Sequence, residues 1–142
     1  MHIEVQTQNL AGQVTALGSS RPFTLVVDRP VEGGGGGLGF NGGQLLYLAV
    51  AGCISNDLFR DARAAGIELR RVRVKVSGDF VGEPAVSDEI RYEVEVDGDA
   101  SEEQPRDLVT QVDEIAEIPN SLRQGTRVRL VGATVGQPSP SD

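Results

Sequence analysis

Apolar and polar positions change period several times along this chain, and each change marks an element. Ile3 to Gln8 alternates, with Ile3, Val5 and Thr7 against Glu4, Gln6 and Gln8, the period of a half-buried strand. Asn9-Leu10-Ala11-Gly12 turns the chain toward a second strand, Gln13 to Leu17, and Gly18 to Pro22 turns it toward a third, Phe23 to Asp28. From Leu45 to Ile54 the pattern loses its stripe, because apolar residues fall all round a 3.6-residue period, which predicts a helix buried on every side. Asn56, Asp57, Arg60, Asp61 and Arg63 return its second half to water, and Gly66 closes it. The apolar run is too short to cross a bilayer, so no membrane partner is expected. Leu69 to Val76 alternates again, with Val72, Val74 and Val76 on one face and Arg71, Arg73 and Lys75 on the other. Ile90 to Val96 repeats this with acidic residues outside, so antiparallel pairing would set basic against acidic side chains.

Ser101-Glu102-Glu103-Gln104 has the form of a capping box, and Leu108, Val109, Val112, Ile115 and Ala116 make one apolar stripe, so a second helix is expected from about Glu102 to Glu117. Ile118-Pro119 breaks it, and Thr126 to Val131 reads as a last strand. The sum is an α+β chain of order β-β-β-α-β-β-α-β: a single domain over residues 1–135 and a disordered tail over 136–142. A helix apolar all round in so short a chain needs more cover than one sheet and one helix give, which predicts a homodimer with Leu45 to Ile54 at its centre.

Composition then removes several chemistries. A formal net charge of −8 disfavours nucleic acid as a partner. The single cysteine, Cys53, excludes an internal disulfide or a two-cysteine metal site, and the single histidine, His2, sits at a fraying end. No metal or other cofactor is expected, and the N-terminal residues have no targeting pattern, which suggests a cytoplasmic location. Gly37-x-Gly39-x-x-Gly42 has the spacing of a dinucleotide fingerprint without its setting, since no strand directly precedes it and the next strand begins only near Leu69. The Arg71-Arg73-Lys75 row reads as a solvated sheet face before it reads as an anion site.

Cys53 stands out as the candidate nucleophile. Phe40, Asn41, Gln44 and Tyr47, at and just inside the helix start, are the candidate pocket residues, although an aromatic such as Tyr47 more often serves packing. Only a thiolate attacks, and apolar burial favours the thiol unless a cation or a helix N-terminus opposes it. Cys53 lies about two turns or more beyond the helix start, where the dipole has faded, so a cation is required. Arg21 and Arg29, flanking the third strand, and Arg60, two turns along the helix, are the candidate cations, and no spacing argument selects one.

The glycine-rich loop, then Asn41-Gly42-Gly43-Gln44-Leu45-Leu46, Ala49-Val50-Ala51-Gly52-Cys53 and Gly66-Ile67-Glu68-Leu69 before the valine strand, resembles the OsmC-like family of osmotically inducible and organic hydroperoxide resistance proteins. The resemblance implies an intertwined homodimer in which Cys53 holds the position of the peroxide-attacking cysteine. It also implies a glutamate in an Asn-Pro-Glu start to the helix, an arginine from the turn after the first strand, and a resolving cysteine just before a proline. Here those places hold Asn41-Gly42-Gly43, Asn9-Leu10-Ala11-Gly12 and Ile118-Pro119. The expectation is therefore a non-catalytic or weakly active dimeric scaffold that binds a small hydrophobic ligand. The alternative is a single-cysteine organic hydroperoxide reductase in oxidative stress defence, served by an external dithiol reductant.

Overall fold

The computed structural model describes residues 1–99, 101 and 103–136. Three short strands, β1 (Gln6–Asn9), β2 (Ala16–Ser20) and β3 (Phe23–Val27), form an antiparallel meander in the order β1-β2-β3. The second strand starts later than its alternation suggests. Leu10 N–H donates to Thr15 O at 2.9 Å and Gln13 N–H to Leu10 O at 2.9 Å, so residues 10–15 are spent on the turn.

A glycine-rich loop leads to α1 (Gly42–Ala64). Two strands, β4 (Glu68–Ser77) and β7 (Arg91–Asp99), then pair antiparallel, with a small hairpin of β5 (Phe80–Val81) and β6 (Val86–Ser87) between them. The register sets Arg71 opposite Asp97, Arg73 opposite Glu95 and Lys75 opposite Glu93, the charge pairing the alternation predicts. Arg73 reaches Glu95 at 3.5 Å with both side chains exposed, so the pair contributes a few tenths of a kcal/mol (~0.3) at most.

The inward face of this ribbon covers the core. Ile54, Leu58 and Ala62 of α1 meet Leu108 and Val112 of α2 (Glu103–Ile115) and Ala116, with Leu69, Val72, Val74, Tyr92 and Val94 packed against them. The helix expected to run to Glu117 stops at Ile115, and a separate α3 (Glu117–Arg123) follows. Pro119 is tolerated there because it falls in the first turn of the new helix, where its missing N–H is not needed. At the start of α2, Ser101 Oγ donates to Gln104 Oε1 at 3.4 Å; Glu102 lies outside the described residues.

The strand expected at Thr126 to Val131 is not formed. Those residues are irregular and exposed, Val128 at 98% and Leu130 at 83%. Its alternating apolar and basic side chains suit a sheet edge, and among the described residues it pairs with none. The tail expected to be disordered falls, from residue 137, outside the described residues.

The helix predicted to be buried all round is half covered. Val50, Ile54, Leu58 and Ala62 are buried, whereas Leu48 and Phe59 on the opposite side remain 48% and 43% exposed. Phe23 and Leu25 of the meander are exposed as well. No helix among the described residues is long and apolar enough to cross a membrane.

Candidate functional site

Cys53 lies at the midpoint of α1, half-buried, with its side chain packed against the core cluster. Its sulfur makes a long contact with Asp57 Oδ2 at 3.9 Å, one turn further along the helix. The other oxygen of that carboxylate, Oδ1, accepts from Arg60 Nη1 at 2.6 Å, and Arg60 Nε donates to Asp61 Oδ1 at 2.7 Å. Arg60 is held charged above all by the hydrogen bond to Asp61, with Asp57 adding to it against partial burial. The nearby cation is thus committed to two carboxylates, and a carboxylate stands between it and the sulfur. Arg21 and Arg29 are exposed, in the β2–β3 turn and beside the glycine loop. The second oxygen of Asp61 is buried and has no partner within the chain's described residues.

The four pocket candidates are not brought together around one cavity. Asn41 and Gln44 spend their side chains on each other's backbone: Gln44 N–H donates to Asn41 Oδ1 and Asn41 N–H to Gln44 Oε1, both at 2.9 Å. This is a capping box that satisfies two donors at the start of α1. The Asn-x-x-Gln spacing is visible in the sequence and would have identified it. Tyr47 shares a hydrogen bond of 3.0 Å with Ser87 and stacks on Phe80 at 5.9 Å, which docks the β5–β6 hairpin on the helix. Phe40 is exposed and bridges to Val27 through its backbone, Phe40 N–H donating to Val26 O at 3.2 Å.

The glycine loop has its own centre. Asp28, buried at the end of β3, accepts from the backbone N–H of Arg29 at 2.7 Å, from that of Gly36 at 3.1 Å, from that of Leu38 at 3.1 Å and from the Thr15 hydroxyl at 3.0 Å. Burial opposes the charge, yet these donors hold the carboxyl below the usual carboxylate range, the Leu38 N–H contributing most. A side chain at Gly39 would meet Val26 O at 2.3 Å, so this turn needs glycine for close approach. Loop N–H groups aimed at Asp28 are not free to cradle a phosphate, which removes the physical basis of the dinucleotide spacing.

A cavity of about 270 Å³ opens beside the first turns of α1. Leu46, Val50, Ile90, Pro119 and Leu122 give it apolar walls, and Ser87, Asp88, Tyr92 and Arg123 give it a polar side. Cys53 does not line it. Tyr92 donates its hydroxyl to Asp113, and Arg123 Nη2 donates to the same carboxylate at 2.5 Å, so one residue from β7, one from α2 and one from α3 are joined. Partial burial, then the bond to Asp113, pushes the Tyr92 phenol up to about 12. The Tyr92 hydroxyl first, and Arg123 after it, hold Asp113 below the usual carboxylate range against partial burial. Sequence reasoning missed this network. Its signal is a phenol on the inward face of a strand otherwise lined by valine, because a buried hydroxyl needs a partner.

The chain matches the family described as OsmC-like protein over residues 34–131. A comparison with curated proteins gives no match. Among solved structures, an OsmC-like protein of Mycoplasma pneumoniae is 20% identical, covers 89% of each chain and superposes with a TM-score of 0.74. The organic hydroperoxide resistance protein OhrB of Bacillus subtilis is 20% identical over 87% of this chain and 91% of its own, with a TM-score of 0.61. An organic hydroperoxide resistance protein OsmC of Legionella pneumophila is 19% identical over 87% and 90%, with a TM-score of 0.59. At these identities the structures establish a shared fold, and the match over most of the sequence establishes the kinship: this chain belongs to the OsmC-like family.

Proposed function

We propose that this protein is a dimeric OsmC-like scaffold that binds a small hydrophobic ligand and in which Cys53 does not act as a peroxidase nucleophile. The observation that carries this reading is the contact between the Cys53 sulfur and the Asp57 carboxylate, with Arg60 engaged on the far oxygen. Thiol peroxidase chemistry requires a positive group at the sulfur. The sequence also lacks a second cysteine to resolve a sulfenic acid. The cavity walled by Leu46, Val50 and Leu122 supplies the apolar site.

The dimer is supported by surface that a single chain leaves uncovered. Leu48 and Phe59 lie on the side of α1 away from the core, and Phe23, Val128 and Leu130 lie on the meander and the C-terminal arm. Apolar surface in these quantities on a small chain marks an interaction face. A second copy would cover the helix face and offer the arm a sheet edge.

The other reading, a single-cysteine hydroperoxide reductase, is favoured by the names of the OhrB and OsmC relatives, both organic hydroperoxide resistance proteins. In that reaction the thiol and a hydroperoxide give a sulfenic acid and an alcohol, and a dithiol then returns the thiol with loss of water. The two readings separate in a turnover assay with cumene hydroperoxide and dithiothreitol. The scaffold predicts that wild type and Cys53→Ser consume peroxide at the same background rate. Turnover that disappears in Cys53→Ser would establish the reductase.

A further inference from the structure

We propose that the cavity beside α1 selects small apolar carboxylates, with the carboxylate gripped by the Nε edge of the Arg123 guanidinium. This deepens the scaffold reading and rests on the cavity being the ligand site.

A guanidinium carries five N–H groups in a rigid plane. In Arg123, Nη1 donates to Asp113 O at 2.8 Å and to Asn120 Oδ1 at 3.1 Å, and Nη2 donates to Asp113 Oδ1 at 2.5 Å. These bonds take both Nη1 hydrogens and one of Nη2. Among the described residues the Nε hydrogen has no acceptor, and the second Nη2 hydrogen has none but the neighbouring Tyr92 hydroxyl, which already donates to Asp113. These two hydrogens lie side by side on one edge of the plane, the two-pronged arrangement that matches the two oxygens of a carboxylate.

The grip is fixed before a ligand arrives. Three hydrogen bonds hold the Arg123 head, so binding spends little of the side-chain entropy that a free arginine would lose. Asp113 already receives Tyr92 and Arg123, which leaves it no need to draw the guanidinium away from a second acceptor. Among the cavity walls, Leu46, Val50 and Leu122 can take only an apolar body, and about 270 Å³ limits it to a short chain or a single ring.

One lining group opposes an anion. Asp88 is exposed, so its repulsion is screened by water and salt, yet it should subtract from affinity. That gives the assignment a test with two signs: removing the Arg123 fork must weaken carboxylate binding, and neutralising Asp88 must strengthen it.

The experiment is calorimetric titration of the full chain at pH 7 with hexanoate, hexanol and hexylamine. Hexanoate should bind at least tenfold tighter than either of the others. Arg123→Lys, which keeps the charge and loses the fork, should weaken hexanoate about tenfold and leave hexanol unchanged, while Asp88→Asn should tighten hexanoate severalfold. Leu46→Phe, which fills the cavity without touching the Arg123 network, should remove binding of both. Equal binding of hexanoate and hexanol, or preference for hexylamine, would overturn the carboxylate assignment and leave the apolar cavity standing. Full hexanoate binding by Leu46→Phe would place the ligand elsewhere, and no binding of any probe would overturn both this proposal and the ligand-binding part of the scaffold reading.

Discussion

Replacing Tyr92 by Phe deletes one hydroxyl from the network that ties β7 to α2 and α3. The phenol is pushed from its ordinary 10.0 to about 12, by burial first and then by its bond to Asp113. A displacement of that size is equivalent to at most ~3 kcal/mol. Tyr92 is only partly buried and solvent screens the interaction, which brings the expected loss to about 1 kcal/mol. In a chain of this length that is a fall of roughly 4 °C in Tm. A phenol whose folded value is raised contributes stability in full below its unfolded value near 10 and loses it as pH rises through about 12. Asp113 is held low, so its contribution is present above about pH 4 and is lost as pH falls through its folded value. The network is therefore whole between about pH 5 and 10. Urea unfolding at pH 7 should show Tyr92→Phe less stable than wild type by about 1 kcal/mol, and at pH 11 the gap should have roughly halved. Equal stability at pH 7, or a gap that widens toward pH 11, would refute the assignment.

Leu58→Ala removes a fully buried side chain at the meeting of α1, α2 and the ribbon, and should cost about 2–5 kcal/mol in the same urea assay. Gly39→Ala puts a methyl carbon 2.3 Å from Val26 O, so it should separate the loop from β3, and limited proteolysis should cut between residues 33 and 40 faster than in wild type. Leu48→Glu places a charge on the uncovered side of α1; if the proposed dimer forms through this face, sedimentation should show wild type as a dimer and the variant as a monomer at the same concentration, and a dimer in both would remove α1 from the interface.

Much of the fold could be read because its signals are local. Strict alternation over Val72, Val74 and Val76 and over Tyr92, Val94 and Val96 gave both strands and the setting of basic against acidic side chains, while the register that puts Arg73 opposite Glu95 needed the fold. Helix α1 was legible from its apolar run and from Gly66 at its end. The readings that failed depend on what lies across space. The alternation of Thr126 to Val131 describes a strand, but a strand exists only where an edge receives it. Pro119 reads as a breaker, while its place in the first turn of α3 makes it harmless. The site was less legible than the fold. Cys53 could be singled out, but nothing in spacing says that Arg60 turns toward Asp57 and Asp61. Asp28 looked like the end of a strand and organises the glycine loop, because only the folded backbone aims three N–H groups at it.

The proposed inertness of Cys53 turns on the carboxylate that stands where a peroxidase needs a cation. Its most direct test is the second-order rate of free-thiol loss when the reduced protein meets cumene hydroperoxide at pH 7, measured beside N-acetylcysteine. The protein should react no faster than the free thiol. A rate a hundredfold or more above the free thiol's, lost in Cys53→Ser, would contradict that inertness.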